Sequence, residues 1–409
     1  MNRKLIFNFI FNILSTVLPL VFLQLLILPL IGKEYGQDKY GLVIALTGIS
    51  TLFSSSFGSV LNNVKLISKS EYDVSEKGDF NIILIIFIAI NIIFVITSTF
   101  VTIRSFDLFL ILIIAIFSTL NLVKEYATVE FRINLNYRKI LYTNIALSIG
   151  YLIGYGLFIL TSEWTLIYLT GLLVCLLYIY FNSNILKENY KVTKKFAATL
   201  KKNIILFIST FLSEGVAHID KIMLIFLLSA SSVSVYYTAT FSGKFLGLAI
   251  TPISAVLLSV FANMDHFEVK NFYKILFASL AIGFFAYFLI LWISPYLIRI
   301  LYPEWADDSI QLIQVTTGVT IIGIMKNIIN PIILKFRSIN WQLILKGSNF
   351  IVTIIISFIF LYHYGLLGFA FGILIASFIS WVLHILVFIY APSTKLVEFN
   401  QISSKENLV

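Results

Sequence analysis

The chain has 409 residues, of which 59% are hydrophobic and only 12% charged, and its mean hydropathy is +0.97. Soluble globular chains carry about 25% charged residues, so a water-soluble domain is excluded, and so is long disorder, which needs low hydrophobicity and high charge. The net charge of +9 is spread over many short polar stretches rather than gathered on one face, so no nucleic-acid partner is expected. What remains is an all-α, polytopic membrane protein built from apolar runs of about 20 residues.

The sequence opens MNRK and is apolar from Leu5 to Ile31. That run is too long for the apolar part of a signal peptide and lacks a small-residue cleavage site, so it is read as an uncleaved first helix. Eleven further spans are predicted over 41–62, 80–103, 108–130, 140–161, 165–184, 203–228, 235–261, 272–293, 310–334, 342–362 and 368–390. Twelve spans take up roughly 264 residues, and no remaining segment reaches the roughly 50 residues a soluble domain needs. With the N-terminus inside, one side collects about nineteen basic residues and the other only Lys33, Lys39, Arg104 and Arg299. Basic loops stay cytoplasmic, so both termini are expected there. The one cysteine, Cys175, forms no internal disulfide.

The basic stretch 186–202 (LKENYKVTKKFAATLKK) divides the chain into a six-helix bundle over 1–185 and a second over 203–392, followed by a cytoplasmic tail, 393–409. The halves are weakly self-similar: YGLVIALTGISTLFSSSFGSVL (40–61) aligns with YYTATFSGKFLGLAITPISAVL (236–257), and FRINLNYR (131–138) with FRSINWQ (336–342). Such repeats are common in transporters. Gly150 and Gly154, Gly243 and Gly247, and Gly368 and Gly372 form small-xxx-small pairs suited to close helix packing.

Four sets of residues follow one another along the chain: GKEYGQDKYGL (32–42) with Gly58 and Lys65, then Asp220 and Lys221 with Tyr236 and Tyr237, then SPYLIRILYPEW (294–305), then YGLLGFAFG (364–372). In this order they resemble the polysaccharide transporter family of the MOP exporter superfamily, the Wzx-type O-antigen or capsule repeat-unit flippases. Pro303 departs from the glycine of many relatives. The resemblance implies twelve spans, a bacterial inner-membrane location, and movement of an undecaprenyl-pyrophosphate-linked oligosaccharide from the inner to the outer leaflet by alternating access. It also implies work alongside a glycan polymerase and chain-length machinery.

A charge at mid-bilayer costs about 2.5–3.5 kcal/mol on insertion scales, so it usually faces a bundle interior or water. Lys124, Lys221, Lys244 and Lys326 all fall inside predicted spans. Lys221 and Lys244 lie at similar outer depths, and Lys124 and Lys326 at matching inner ones. Lysine is a compact phosphate-binding charge, so these four are candidates to line a cationic cavity for the pyrophosphate or for acidic sugars. The competing reading is structural: Glu214 paired with Lys221, Glu125 beside Lys124, and snorkelling at the inner pair. At about 100° per residue, Glu214, His218 and Lys221 share a helix stripe, while Asp220 points elsewhere. Glu214, His218, Asp220 and Glu125 are candidates for ion coupling or as charge partners. Asn8, Asn12, Tyr237 and Asn330 are candidate sugar contacts, with Tyr237 on the face of Lys244 and Asn330 on that of Lys326. His384 is read as a core histidine. Trp164, Trp292 and Trp305 at one boundary and Trp341 at the other are read as an aromatic belt.

No GxxxxGK[ST] and no HExxH or Cys/His cluster is present, so no cofactor, metal or ATPase activity is expected and the chain is read as a carrier rather than an enzyme. Two rivals stand beside that reading. One is a cation-coupled, MATE-like exporter of small molecules, which predicts a dominant acidic site. The other is a membrane-embedded glycan polymerase or acyltransferase, which predicts paired catalytic groups.

Overall fold

The computed structural model describes residues 15, 17–72, 78–104, 106–247, 257, 261, 264, 267–338 and 340–392. Asn8, Asn12, the start of the first predicted span, most of 248–266 and the tail 393–409 lie outside these residues. Among the described residues the chain is helical and has no β-strand. That follows from the composition, because an apolar run in lipid must satisfy its backbone polar groups within its own helix.

Among the described residues, and setting aside the helical stretch 241–247, the helices are, in chain order, α1 (Val17–Ile67), α2 (Asp79–Ile103), α3 (Leu108–Ile133), α4 (Tyr137–Thr161), α5 (Thr165–Asn182), α6 (Phe196–Leu227), α7 (Ala230–Ala239), α8 (Val269–Leu301), α9 (Pro303–Phe336) and α10 (Asn340–Tyr390). All but α7 are long and apolar enough to cross a membrane. Two are too long for one crossing: α1 and α10 each have 51 residues, about 76 Å at 1.5 Å per residue, against a hydrocarbon core of about 30 Å. Each is bent at a glycine, α1 at Gly36 (φ 70°, ψ 177°) and α10 at Gly365 (φ 60°, ψ −143°). Glycine lacks the Cβ that disfavours positive φ, so the chain can turn there. Taking each bent helix as two arms turns nine helices into eleven span-length segments. The predicted span 235–261 begins in α7 and continues helically over 241–247.

Several boundaries move from their sequence expectation. Helix α6 starts at Phe196 rather than 203; FAATLKK is polar enough to read as a linker, yet Thr199 and Asn203 are buried. Helix α8 runs through Pro295 to Leu301, so the first half of SPYLIRILYPEW is helix rather than loop. In YGLLGFAFG only Gly365 turns. Gly368 and Gly372 lie in the second arm of α10, where an added Cβ at Gly372 would stand 2.6 Å from the Ser357 Cα on the first arm.

The chain divides into two compact units, Met1–Ser234 and Val235–Val409. In the first, α1 packs along α3 and α6, α3 also meets α2 and α5, and α4 lies against α5. In the second, α9 packs on both α8 and α10; Phe272 and Phe388 stack with centroids 4.1 Å apart at one end, and Ile321, Ile324 and Met325 fill the middle. An internal repeat is visible in the turns. Helices α3 and α9 end just past Phe131 and at Phe336, and a short turn follows each. The next helix then runs 25 residues in α4 before Ser162 at φ 58°. The first arm of α10, residues 340–364, has the same length before Gly365.

The tryptophans separate into two kinds. Trp292 is exposed, as a belt residue is, but Trp164 and Trp305 are buried, and Trp305 Nε1 donates to Thr238 Oγ1 at 2.9 Å. Trp305 is therefore a packing anchor of the second unit rather than a membrane-boundary residue.

Candidate functional site

Each unit carries two of the four candidate lysines. In the first unit, Lys221 is buried on α6, and its stem runs against α1 at Gly48, where an added Cβ would stand 3.2 Å from the Lys221 Cε. A side chain at position 48 would displace it. Its Nζ lies 3.1 Å from Asp220 Oδ1, so Lys221 pairs with Asp220 and not, as the shared stripe implied, with Glu214. Neighbouring helical residues diverge by about 100° at Cβ, but a four-carbon stem is long enough to bring the ammonium back around the helix. Glu214 faces His218 instead, with Oε2 3.8 Å from Nε2.

Lys124 sits on α3, nine residues before Ile133, or about 14 Å along the helix. Its Nζ lies 2.8 Å from Glu125 Oε1, which is the charge-partner arrangement. A Cβ on Gly58 of α1 would come within 2.6 Å of the Glu125 Cβ, so α1 and α3 approach closely beside the pair. Asn121, one turn earlier, donates to Ser54 Oγ at 2.7 Å.

In the second unit, Lys244 Nζ stands over the ring of Tyr237, 3.2 Å from its centroid. The expected shared face is thus realised as a cation–π contact, worth roughly 0.5–2 kcal/mol. Tyr237 is buried, and its ring holds the ammonium rather than standing open to a sugar. Lys326, half-buried on α9, lies ten residues before Phe336, about 15 Å along the helix, and so at nearly the same distance from its helix end as Lys124. It belongs to none of the ion pairs among the described residues. Asn330 follows it by one turn and is half-buried. His384 on α10 lies within electrostatic reach of Lys326, is buried, and places Nδ1 2.6 Å from the Ser380 carbonyl oxygen, as a core histidine does.

The sequence reading missed a second polar assembly, at the end of the first unit where α1, α3 and α5 finish and α2 and α6 begin. Lys65 is buried and forms an ion pair with Glu188; it also donates to Tyr126 Oη at 3.1 Å. Tyr126 in turn donates to Asn81 Oδ1 at 3.0 Å, and Asn81 Nδ2 donates to the Glu188 carbonyl at 3.0 Å. Asp79, fully buried, accepts from the Thr193 backbone N–H at 2.7 Å and from Tyr72 Oη at 3.0 Å. Glu130 accepts from the Asn184 backbone N–H at 2.8 Å and from Ser183. These bonds strap residues 183–199 onto the first unit. Apart from Tyr72 and Asp79, seven positions apart, the partners are separated by 45 to 123 positions, so no local spacing reveals them. The one signal was the unusual placing of Lys65, Asp79 and Asn81 beside apolar runs.

No protein-family model matches the sequence, and no curated protein matches it either. The similarity is in the fold. The chain superposes on the lipid II flippase MurJ in an inward closed conformation with a TM-score of 0.70 at 17% identity, over 95% of this chain and 87% of that one. An inward-facing multidrug resistance MATE family transporter of the MOP superfamily gives a TM-score of 0.62 at 14% identity, over 94% of both chains. A MOP superfamily transporter from Pyrococcus furiosus, described as having a binding pocket of reverse polarity, gives 0.60 at 14% identity, over 92% and 93%. The chain therefore has the fold of MOP-superfamily transporters and is a multi-pass membrane protein.

Proposed function

We propose that the chain is a flippase for a lipid-linked oligosaccharide carried on undecaprenyl pyrophosphate, and that it moves its substrate from the cytoplasmic to the outer leaflet of a bacterial inner membrane by alternating access between two six-helix bundles. The observation that carries this reading is the surplus of intramembrane cations. Lys124 and Lys221 have carboxylate partners and Lys244 an aromatic one, but Lys326 has no ion-pair partner among the described residues. A cation held about 15 Å inside a helix end without a counter-ion is costly, and an anionic substrate is the group that offsets that cost. The pyrophosphate supplies such a charge at the depth of Lys326, and Lys244, in the same unit and further out, is a second cation along its path. Asn330 is placed to meet the sugar. The likeness to a lipid II flippase agrees with this substrate class.

One observation favours the rival, a cation-coupled exporter. Glu214, His218 and Asp220 cluster within two turns of α6, and intramembrane carboxylates and histidines serve as proton relays. On the flippase reading the same cluster couples transport to an ion gradient. Deleting the gene in its native host separates the two. Lipid-linked repeat units building up in the inner leaflet, with surface glycan lost and restored by the wild-type gene, supports the flippase. Normal surface glycan with heightened sensitivity to small toxic cations supports the exporter. Repeat units that cross but stay unpolymerised point to a membrane-embedded enzyme.

A further inference from the structure

The strapped end of the first unit encloses a cavity of about 420 Å³, within the range of small-ligand sites. Its charged lining is balanced: Lys65 and Lys69 against Glu130 and Glu188. Phe80 and Ile133 supply apolar wall. Lys65 is the third residue from the end of α1, Phe80 the second of α2, and Ile133 the last of α3. The cavity therefore opens where three apolar helices end together, at the level of lipid headgroups just outside the hydrocarbon core.

The charges are not equally engaged. Lys65 is buried, with its ammonium already held by Glu188 and Tyr126. Lys69 is exposed and donates to the Ile133 carbonyl at 3.4 Å, a long contact for a group with three protons to give. Glu130 receives Ser183 and Asn184 through Oε2; a carboxylate has a second oxygen for a cation. A dianion such as pyrophosphate would meet both carboxylates, so the substrate head proposed above does not fit here. A ligand carrying a cation and an anion together does.

The geometry points to a site for a zwitterionic amine–phosphate headgroup, that of a phosphatidylethanolamine, with its phosphate on Lys69 and its ammonium on Glu130. This inference does not rest on the flippase reading. The apolar wall and the depth of the site favour a lipid over a soluble amine–phosphate. The bound headgroup would brace the strap 183–199 against the ends of α1 and α3.

The test is native mass spectrometry of the delipidated, purified full chain with dioleoyl-phosphatidylethanolamine, dioleoyl-phosphatidylglycerol or soluble phosphoethanolamine. The wild type should retain phosphatidylethanolamine over phosphatidylglycerol by about tenfold, the size of one charge-assisted bond. Lys69→Ala should weaken both lipids alike, because both carry the phosphate; Lys69 is exposed, so the variant should melt like the wild type. Glu130→Gln keeps an acceptor for Ser183 and Asn184, and should weaken phosphatidylethanolamine while leaving phosphatidylglycerol unchanged. Equal retention of the two lipids by the wild type, undiminished retention of both by Lys69→Ala, or an unaltered preference in Glu130→Gln overturns the site. Retention of soluble phosphoethanolamine as strong as that of the lipid overturns the lipid source while upholding the chemistry.

Discussion

Replacing Lys326 and Lys124 by methionine should change stability in opposite directions. Both lie about 14–15 Å from their helix ends, inside helices that are long enough to cross a core about 30 Å thick. Methionine keeps the length and removes the charge. At Lys326 no carboxylate among the described residues is left behind, so the change removes a mid-membrane charge cost of about 2.5–3.5 kcal/mol. Water reaching the half-buried ammonium already offsets part of that cost, leaving an expected stabilisation of about 1–2 kcal/mol. At Lys124 the change breaks a 2.8 Å ion pair and strands Glu125. A fully buried stranded partner costs about 3–5 kcal/mol, and with the Glu125 side chain 33% exposed a loss of about 1–2 kcal/mol is expected. Fluorescence-detected size-exclusion melting in detergent reads both. Lys326→Met should melt higher than wild type and Lys124→Met lower, and Lys326→Met should also lose transport. If Lys326→Met melts as low as Lys124→Met, Lys326 is a structural charge and the argument from its missing counter-ion fails.

Four further substitutions probe the packing and hydrogen bonding of the helices. Gly150→Ala should lower the melting temperature by the equivalent of about 1–3 kcal/mol, because the new Cβ would sit 2.6 Å from the Thr170 carbonyl oxygen and 2.7 Å from the Gly171 Cα. Gly156→Ala, on the same helix with nothing within 4 Å, should be neutral or stabilising by up to about 1 kcal/mol in the same assay. Gly365→Ala should cost about 1–2 kcal/mol from the positive φ alone, despite the open space around it, and should be read by melting and by surface expression. Arg337→Ala should loosen the end of α10, since the guanidinium donates to the Phe388 carbonyl through Nε at 3.1 Å and through Nη2 and stacks on the Phe388 ring; a loss of about 1.5–3 kcal/mol should appear as a lower melting temperature.

The spans were legible in the sequence because lipid imposes one solution, an apolar helix of about 20 residues, on every crossing. Their ends were less so: FAATLKK is polar enough to read as loop, and only tertiary burial of Thr199 makes it the first turns of α6. The break between the predicted spans 342–362 and 368–390 holds the bend at Gly365, but which of the nearby glycines turns depends on packing. Gly365 is open and bends, whereas Gly368 and Gly372 are pressed against the first arm. Among the candidate site residues, helical spacing recovered Tyr237 beneath Lys244 and Glu214 opposite His218, since both rest on the backbone period. It failed for Asp220 with Lys221, because a lysine stem reaches around the helix. The strap of Lys65, Asp79, Asn81 and Glu130 onto 183–199 was invisible, because its partners meet only once α1, α2 and α3 have come together.

The central claim is tested most directly by reconstituting the purified chain into sealed vesicles with an undecaprenyl-pyrophosphate-linked oligosaccharide in both leaflets, then adding a glycosidase that acts only from outside. Protein-free vesicles should lose only their outer-leaflet sugar. Vesicles holding the wild-type chain should lose nearly all of it, and those holding Lys326→Met should resemble the protein-free ones. Inner-leaflet sugar that stays protected with well-folded wild-type protein, under either direction of an imposed ion gradient, would contradict the account.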